Sequence, residues 1–358
     1  SIKRKDFIMK KFILIVVIIN ASLLVLGGIL LGLGLLLGGK TSFSFAFKDK
    51  TFTEPVYVDN SFDLDDFTSM YIDMSTGKLY IEESDKCSIE YHLLEDFVPE
   101  INVENGKLSV IQKDTGFTTF NVLTVQDEQY VKLYVTKDQI ADIKSSSGGI
   151  EIKDVNINGT IKSESGSLNI NGSEADSLDI KVSSGRTTID NVKYNSIICD
   201  QSSGKLIIKN VEADTLDVKS LSGGIDMENV TAESIVGNST SGGAGFTNVN
   251  AKNVNVGVTC GSFKMDRCEI GDLIAEWTSG GVKAEETKID NADLDVSSGG
   301  INFNLIGDVN DYDFDLNGSS GSVRVNDDKK KGDYILSNGK DKKIKAESSS
   351  GGINININ

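Results

Sequence analysis

Ser222-Gly223-Gly224-Ile225-Asp226-Met227-Glu228-Asn229-Val230-Thr231-Ala232-Glu233-Ser234-Ile235-Val236-Gly237-Asn238-Ser239-Thr240 is one turn of a pattern that begins again at Ser241-Gly242-Gly243-Ala244. The leading glycines fall at 148, 166, 185, 204, 223, 242, 261, 280 and 299, one step of 18 followed by seven of 19, and the spacing then loosens to Gly321 and Gly351. A fixed period of this size marks a solenoid, in which each repeat is one structural unit stacked on the next.

Counting from the leading glycine, apolar residues recur two and four places on (Ile225 and Met227, Ile301 and Phe303), then at seven and nine (Val230 and Ala232), and at twelve and fourteen (Leu216 and Val218). Alternation by two means short strands with one buried face, and Asp, Lys, Asn and Glu fill the outward places between. Such a coil cannot bury its apolar face alone, so stacking in register builds parallel ladders around one core. With about 4.8 Å between coils, nine regular coils span on the order of 45 Å. The fold class is therefore all-β, a single parallel β-solenoid of about 19 residues per coil over 144–325.

The glycine most simply turns a corner with positive φ, with the preceding serines bonding to backbone there. A phosphate cradle is excluded, because no Gly-Lys-Ser/Thr follows and no helix begins. Asn191, Asn210, Asn229 and Asn248 stand six places after four successive glycines, where stacked amides can bond along the array. Core volumes trade between neighbours: Ala244 shares a coil with Phe246, and Phe263 lies one coil on.

Outward from the array, residues 61–143 have strand grammar without the period, as in Met70–Met74 and Lys78–Ile81. They read as irregular first coils of the solenoid, with a separate β-sandwich as the alternative. Residues 326–345 form a hydrophilic insert around Tyr334-Ile335-Leu336, a protruding loop or hairpin, before a terminal coil at 346–358. Ending on Asn354-Ile355-Asn356-Ile357, the chain offers an open sheet edge that invites a partner strand.

At the other end, residues 12–37 carry no charge and read as a transmembrane helix; a cleaved signal peptide is the rival. The basic tail 1–11 places the N-terminus in the cytoplasm and everything beyond residue 40 outside. Gly28 and Gly32, and Gly34 and Gly38, have the four-residue spacing that lets helices approach closely, so they are candidate helix–helix contacts in a homo-oligomer. Residues 38–60 form a juxtamembrane linker whose Phe43, Phe45 and Phe47 suit either the membrane interface or a first strand.

Net charge is −17, and the tail holds +4 of it, leaving −21 for the remainder. Such a surface repels phosphates, so nucleic acid is not expected as a partner. The single histidine, His92, makes a Ser-His-Asp triad improbable and reads as a surface strand residue. Cys199 and Cys268 occupy apolar columns as small core residues, and a bridge between Cys260 and Cys268 stays open. Acids such as Asp293, Asp295, Asp311, Asp313 and Asp315 could serve calcium or glycan hydrolysis, but alternating outward acids are what any solvated strand displays, and the Gly-Gly-x-Gly-x-Asp spacing of calcium rolls is missing. No cofactor, metal or catalytic residue is expected. Trp277 interrupts its column either as a contact residue or as a packing choice, and Trp277, Tyr334 and Asn358 are the candidate partner contacts.

An N-terminal anchor, the step Asn105-Gly106-Lys107-Leu108, and serial phrases such as Ser147-Gly148-Gly149-Ile150-Glu151-Ile152 resemble the putative-adhesin family of bacterial β-strand-repeat proteins, a domain of unknown function. The resemblance covers 62–358 and implies a right-handed β-solenoid on a membrane-anchored cell-envelope protein, with no catalytic residues to carry over. The expectation is a non-enzymatic protein at the cell membrane, its solenoid extracytoplasmic and engaged in adhesion to a surface protein or glycan. A self-assembling scaffold in envelope maintenance is the alternative, and a glycan-acting β-helix enzyme a weaker third.

Overall fold

The computed structural model describes residues 43–48, 51–53, 56–113, 118–122 and 128–358. The predicted transmembrane helix, with Gly28, Gly32, Gly34 and Gly38, lies outside the described residues, as does the tail 1–11. No described helix is long and apolar enough to cross a membrane.

The chain divides into two units. In the one made of residues 1–56 and 116–127, Phe43–Lys48 pairs antiparallel with Thr51–Thr53 and with Thr118–Val122. The phenylalanines of the predicted linker thus stand in a strand.

The other unit, 57–115 and 128–358, is the β-solenoid. Strands Leu168–Ser184, Thr187–Ser203, Leu206–Ser222, Ile225–Ser241 and Ala244–Cys260 each pair parallel with the next at an offset of 19. Their apolar columns all point inward: Ile225, Phe263, Phe303 and Leu294 are at most 1% exposed. One hydrophobic cluster runs from Phe67 to Ile357, each buried aliphatic in it contributing about 1.5–3 kcal/mol.

Two corners per coil explain the repeat. At the first, the leading glycines have φ between +109° and +145°. A Cβ there would stand 1.6–2.1 Å from the carbonyl oxygen of the leading glycine one coil below, so no side chain fits on grounds of space as well as torsion. At the second corner Asn191, Asn210, Asn229 and Asn248 have φ of +50° to +55°, as do Asp154, Arg267 and Glu286 to within a few degrees. Asparagine tolerates this left-handed conformation best among residues with a Cβ. Its amide also bonds up the array, Asn248 Nδ2 to Asn229 Oδ1 at 2.7 Å and Asn229 Nδ2 to Asn210 Oδ1 at 2.9 Å. The asparagine column is thus a conformational requirement first and an amide ladder second.

A seventh inward column, sixteen places after the glycine (fifteen in the 18-residue coil led by Gly148), escapes a purely apolar reading because it holds Ser163, Gln201, Ser220 and Ser239 among Val182, Val258 and Val296. Several of its polar members bond to corner carbonyls, whereas the buried Ser163 Oγ has no hydrogen-bond partner among the described residues. Ser220 Oγ donates to Gly223 O at 3.3 Å, Gln201 Nε2 to Gly185 O at 3.0 Å and Ser348 Oγ to Gly299 O at 3.0 Å. Corner serine bonds thus come from this column, and before Gly321 also from the preceding serine, Ser320 Oγ donating to Ser349 O at 2.9 Å.

Both ends depart from sequential coils. Ser69–Met74 and Lys78–Glu83 lie in parallel beneath Asp138–Ser145 and Ile150–Lys153. Below them, Lys107–Ile111 and Tyr130–Val135 form the next layer, and the end closes with antiparallel pairings of Glu100–Glu104, Ser88–Leu94 and Tyr57–Asp63. The strands within 57–111 and 130–145 thus belong to the solenoid's sheet and core, stacked out of chain order.

At the C-terminal end the last coil, Lys342–Ser350 and Ile353–Ile357, sits directly on Asn291–Ser298 and Ile301–Leu305. Tyr312–Val325 then covers that coil, and Asp328–Leu336 pairs antiparallel on its far side. The expected open edge at Asn354–Ile357 is therefore wrong: the chain runs ahead, turns back as a hairpin, and slots its terminus underneath. The outermost strand carries Lys329, Lys330 and Lys331, charges that blunt an edge.

Candidate binding groove

Outward residues fifteen and seventeen places after the glycine stand on either side of the seventh column. Across the coils led by Gly204 to Gly280 they form the two walls of an open groove of about 420 Å³. One wall is Lys219, Asn238, Gly257, Glu276 and Asp295; the other is Leu221, Thr240, Thr259, Thr278 and Ser297. Gly257 makes a notch, since a Cβ there would reach Asn238 Oδ1 at 2.9 Å. Lys219 is engaged with Asp217 at 3.3 Å, whereas Glu276 and Asp295 make no ion pair among the described residues.

The floor belongs to the seventh column, and here the structure corrects the reading of Trp277 as a contact residue. Its side chain is 2% exposed. The indole stacks on Phe263 at 5.5 Å and 11°, Phe263 meets Phe246 edge-on at 4.9 Å, and Nε1 donates to Gly261 O at 3.0 Å. Ala244 and Ala275 nearby leave volume for the ring, the large–small exchange a dense core demands. Trp277 lies under the groove, not in it.

The other candidate contacts are also accounted for within the fold. Tyr334 is 6% exposed, packed edge-on against Phe314 at 6.2 Å with Lys330 Nζ 4.3 Å above its ring. It fastens the outer hairpin strand to the core. Asn358 is exposed, but its backbone N–H donates to Leu305 O at 3.0 Å and its carbonyl accepts from Gly307 N at 3.0 Å.

No arrangement of activated groups emerges among the described residues. His92 Nδ1 lies 2.7 Å from Asp59 Oδ1 and its ring stacks on Tyr57 at 4.8 Å. Burial pushes the Cys199 thiol up to about 12 and raises Cys268 as well, the opposite of what a nucleophilic cysteine needs. All four cysteines are free, with Cys260 exposed. Asp293 is paired with Lys345 at 3.2 Å, and Asp313 accepts from the Asn338 backbone at 2.6 Å, so the acids weighed for catalysis are dispersed. No group of three or more His, Cys, Asp or Glu among the described residues could hold a metal.

A second polar surface went unread in the sequence. Six of the nine tyrosines lie between 57 and 134, and on the outer face Tyr130 and Tyr80 meet edge-on at 6.4 Å with Lys132 Nζ over both rings. The Glu90 carboxylate accepts from Tyr130 Oη at 2.7 Å and holds that phenol up at about 12. Because these rings stack on one another and on lysines, their faces are already used, and the cluster staples the end layers. The clustering of tyrosine outside the periodic region was the available signal.

Against solved structures, the chain is similar to a putative adhesin from Parabacteroides distasonis ATCC 8503, at 14% identity over 70% of this chain and 98% of that one, with a TM-score of 0.43. A putative adhesin from Parabacteroides merdae ATCC 43184 aligns at 17% identity over 69% and 96%, TM-score 0.43. A putative lipid binding protein from Parabacteroides distasonis ATCC 8503 aligns at 14% over 69% and 96%, TM-score 0.39. No curated protein matches. The Toastrack DUF4097 family model matches residues 67–229 and 193–356, spans that together take in the whole regular array. The chain therefore belongs to the Toastrack DUF4097 family.

Proposed function

We propose that this chain is a non-enzymatic cell-envelope protein, anchored by residues 12–37 with its N-terminus cytoplasmic, whose solenoid stands outside the membrane and binds a surface protein or glycan. The observation that carries the reading is the set of outward columns held in register through the regular coils: Lys219, Asn238, Gly257, Glu276 and Asp295 follow one another at single-coil spacing. One continuous hydrophobic core underlies those positions, and extended surfaces of this kind are what repeat arrays use for binding. The uncharged run at 12–37 supports the anchor.

The test has two arms. Alkaline carbonate washing should leave the chain in the membrane pellet, and protease added to intact protoplasts should degrade the solenoid; release by carbonate, or protection from protease, refutes the anchor. Purified chain should bind saturably to envelopes isolated from the same cells, and binding no greater than to liposomes refutes the adhesive role.

A further inference from the structure

We propose that the groove over Trp277 binds a linear, uncharged glycan strand lying along the solenoid axis with about one sugar ring per coil; this deepens the binding role proposed above and rests on it. Four features carry the assignment. First, the walls offer what sugar hydroxyls need: the hydroxyls of Thr240, Thr259 and Thr278, the Asn238 amide, and the carboxylates of Glu276 and Asp295, which make no ion pair among the described residues. Second, one wall repeats a hydroxyl over four successive coils, Thr240, Thr259, Thr278 and Ser297, about 4.8 Å apart, a step close to the advance of a 1,4-linked sugar chain.

Third, an extended peptide does not match. It presents side chains to one face only every second residue, about 6.7 Å apart. The groove also crosses the middle of the sheet, where Ile225–Ser241, Ala244–Cys260 and Glu269–Ser279 are each paired on both sides. No backbone edge is left there for strand addition. Fourth, the charge balance selects among glycans. Lys219 is taken up by Asp217, so the groove's free charges are negative and repel acidic sugars. Leu221, 60% exposed at one end, gives an apolar contact for the C–H face of a ring.

The protein carries its own reporter, because Trp277 is the one tryptophan in the chain and lies directly beneath the walls. Full chain in lipid nanodiscs is titrated with cellohexaose, chitohexaose and hexagalacturonate, following tryptophan emission and calorimetric heat. The expected result is a saturable response to at least one neutral hexamer and none to the acidic one. Gly257→Asn should weaken it at least tenfold while leaving the unfolding midpoint unchanged, since the new Cβ meets only the movable end of Asn238. Silence from both neutral hexamers up to their solubility limit, a response to hexagalacturonate alone, or full binding by Gly257→Asn overturns the proposal. If the hexamers fail while envelope binding persists, the groove assignment falls and the adhesive role stands; if both fail, both fall.

Discussion

Gly223→Ala should be among the most damaging single substitutions in the array, and its cost can be built from the corner. At φ +140° the residue occupies a region almost reserved for glycine, a strain of about 1–3 kcal/mol for alanine. The added Cβ would stand 1.6 Å from Gly204 O and 2.7 Å from Gly204 C, so the two coils must part locally. Parting them stretches the two bonds that join these coils at the corner, Gly204 N to Ser222 O (3.0 Å) and Leu206 N to Gly224 O (3.0 Å). Loss of both bonds costs about 2 kcal/mol, for a total near 3–5 kcal/mol. Two controls separate the terms. Gly106→Ala shares a positive φ (+72°) but meets nothing within 4 Å, so only strain of about 1 kcal/mol applies. Gly224→Ala meets only Gly243 O at 3.5 Å, an ordinary contact, and should stay within about 0.5 kcal/mol of wild type. Urea unfolding measures all three, and hydrogen exchange should place the Gly223→Ala opening at the Gly204 and Gly223 coils. A Gly223→Ala loss no larger than that of Gly106→Ala would refute the packed-corner argument.

Three further outcomes follow from particular residues. Tyr194, whose hydroxyl bonds to Ser173 Oγ (2.6 Å) and Ile157 O (2.9 Å), has its pKa pushed by burial up to about 12. A raised folded pKa gives stability that is complete below pH 10 and lost as pH rises through 12, on the order of 2–3 kcal/mol; Tyr194→Phe, which forfeits both hydrogen bonds, should be less stable than wild type at pH 7, the gap should narrow between pH 10 and 12 in denaturant titrations, and a constant gap would contradict it. Glu286 holds φ +48° at the second corner, so Glu286→Asn should gain about 0.5–1 kcal/mol in the same assay, and a loss would show that the side chain matters more than the torsion. Replacing Lys329, Lys330 and Lys331 together by Thr should turn the outermost strand into an associating edge, seen as concentration-dependent growth in sedimentation velocity; a triple variant that sediments as wild type does would remove the edge-blunting role.

The regular coils were readable because each position does one job. Ile225, Phe246 and Leu294 fall in apolar columns whose period names the strand, and a glycine every 19 residues names the corner. The seventh column was missed for a physical reason: Ser220 and Ser239 are inward yet polar, kept there by bonds to Gly223 and Gly242 carbonyls that no pattern of hydropathy can register. Trp277 stayed open between contact and packing for the same reason, since its column mixes Ser220 and Ser239 with Val258 and Val296. The groove was half legible. The departures near Cys260 and Trp277 marked the region, but its walls come from two columns whose spacing has meaning only after the coils are stacked.

The ends were unreadable because stacking order there is not chain order. A solenoid must stop somewhere, and its last coil exposes a row of unpaired backbone groups. Ile353–Ile357, an uncharged run of alternating Asn and Ile, would be a hazardous edge if it lay outermost. The fold instead sends Tyr312–Val325 and Asp328–Leu336 past it and returns the terminus to an inner layer, where Ile353 pairs with Ile301 on one side and Val323 on the other. The opposite end uses a matching device, with antiparallel strands closing the layers below Ser69–Glu83. Both caps abandon the 19-residue period because a cap that obeyed it would simply be another coil with another open edge. Loss of periodicity at 57–143 and 306–345 is thus the signature of termination, and the regular surface between the caps is the part of the molecule free to carry ligands.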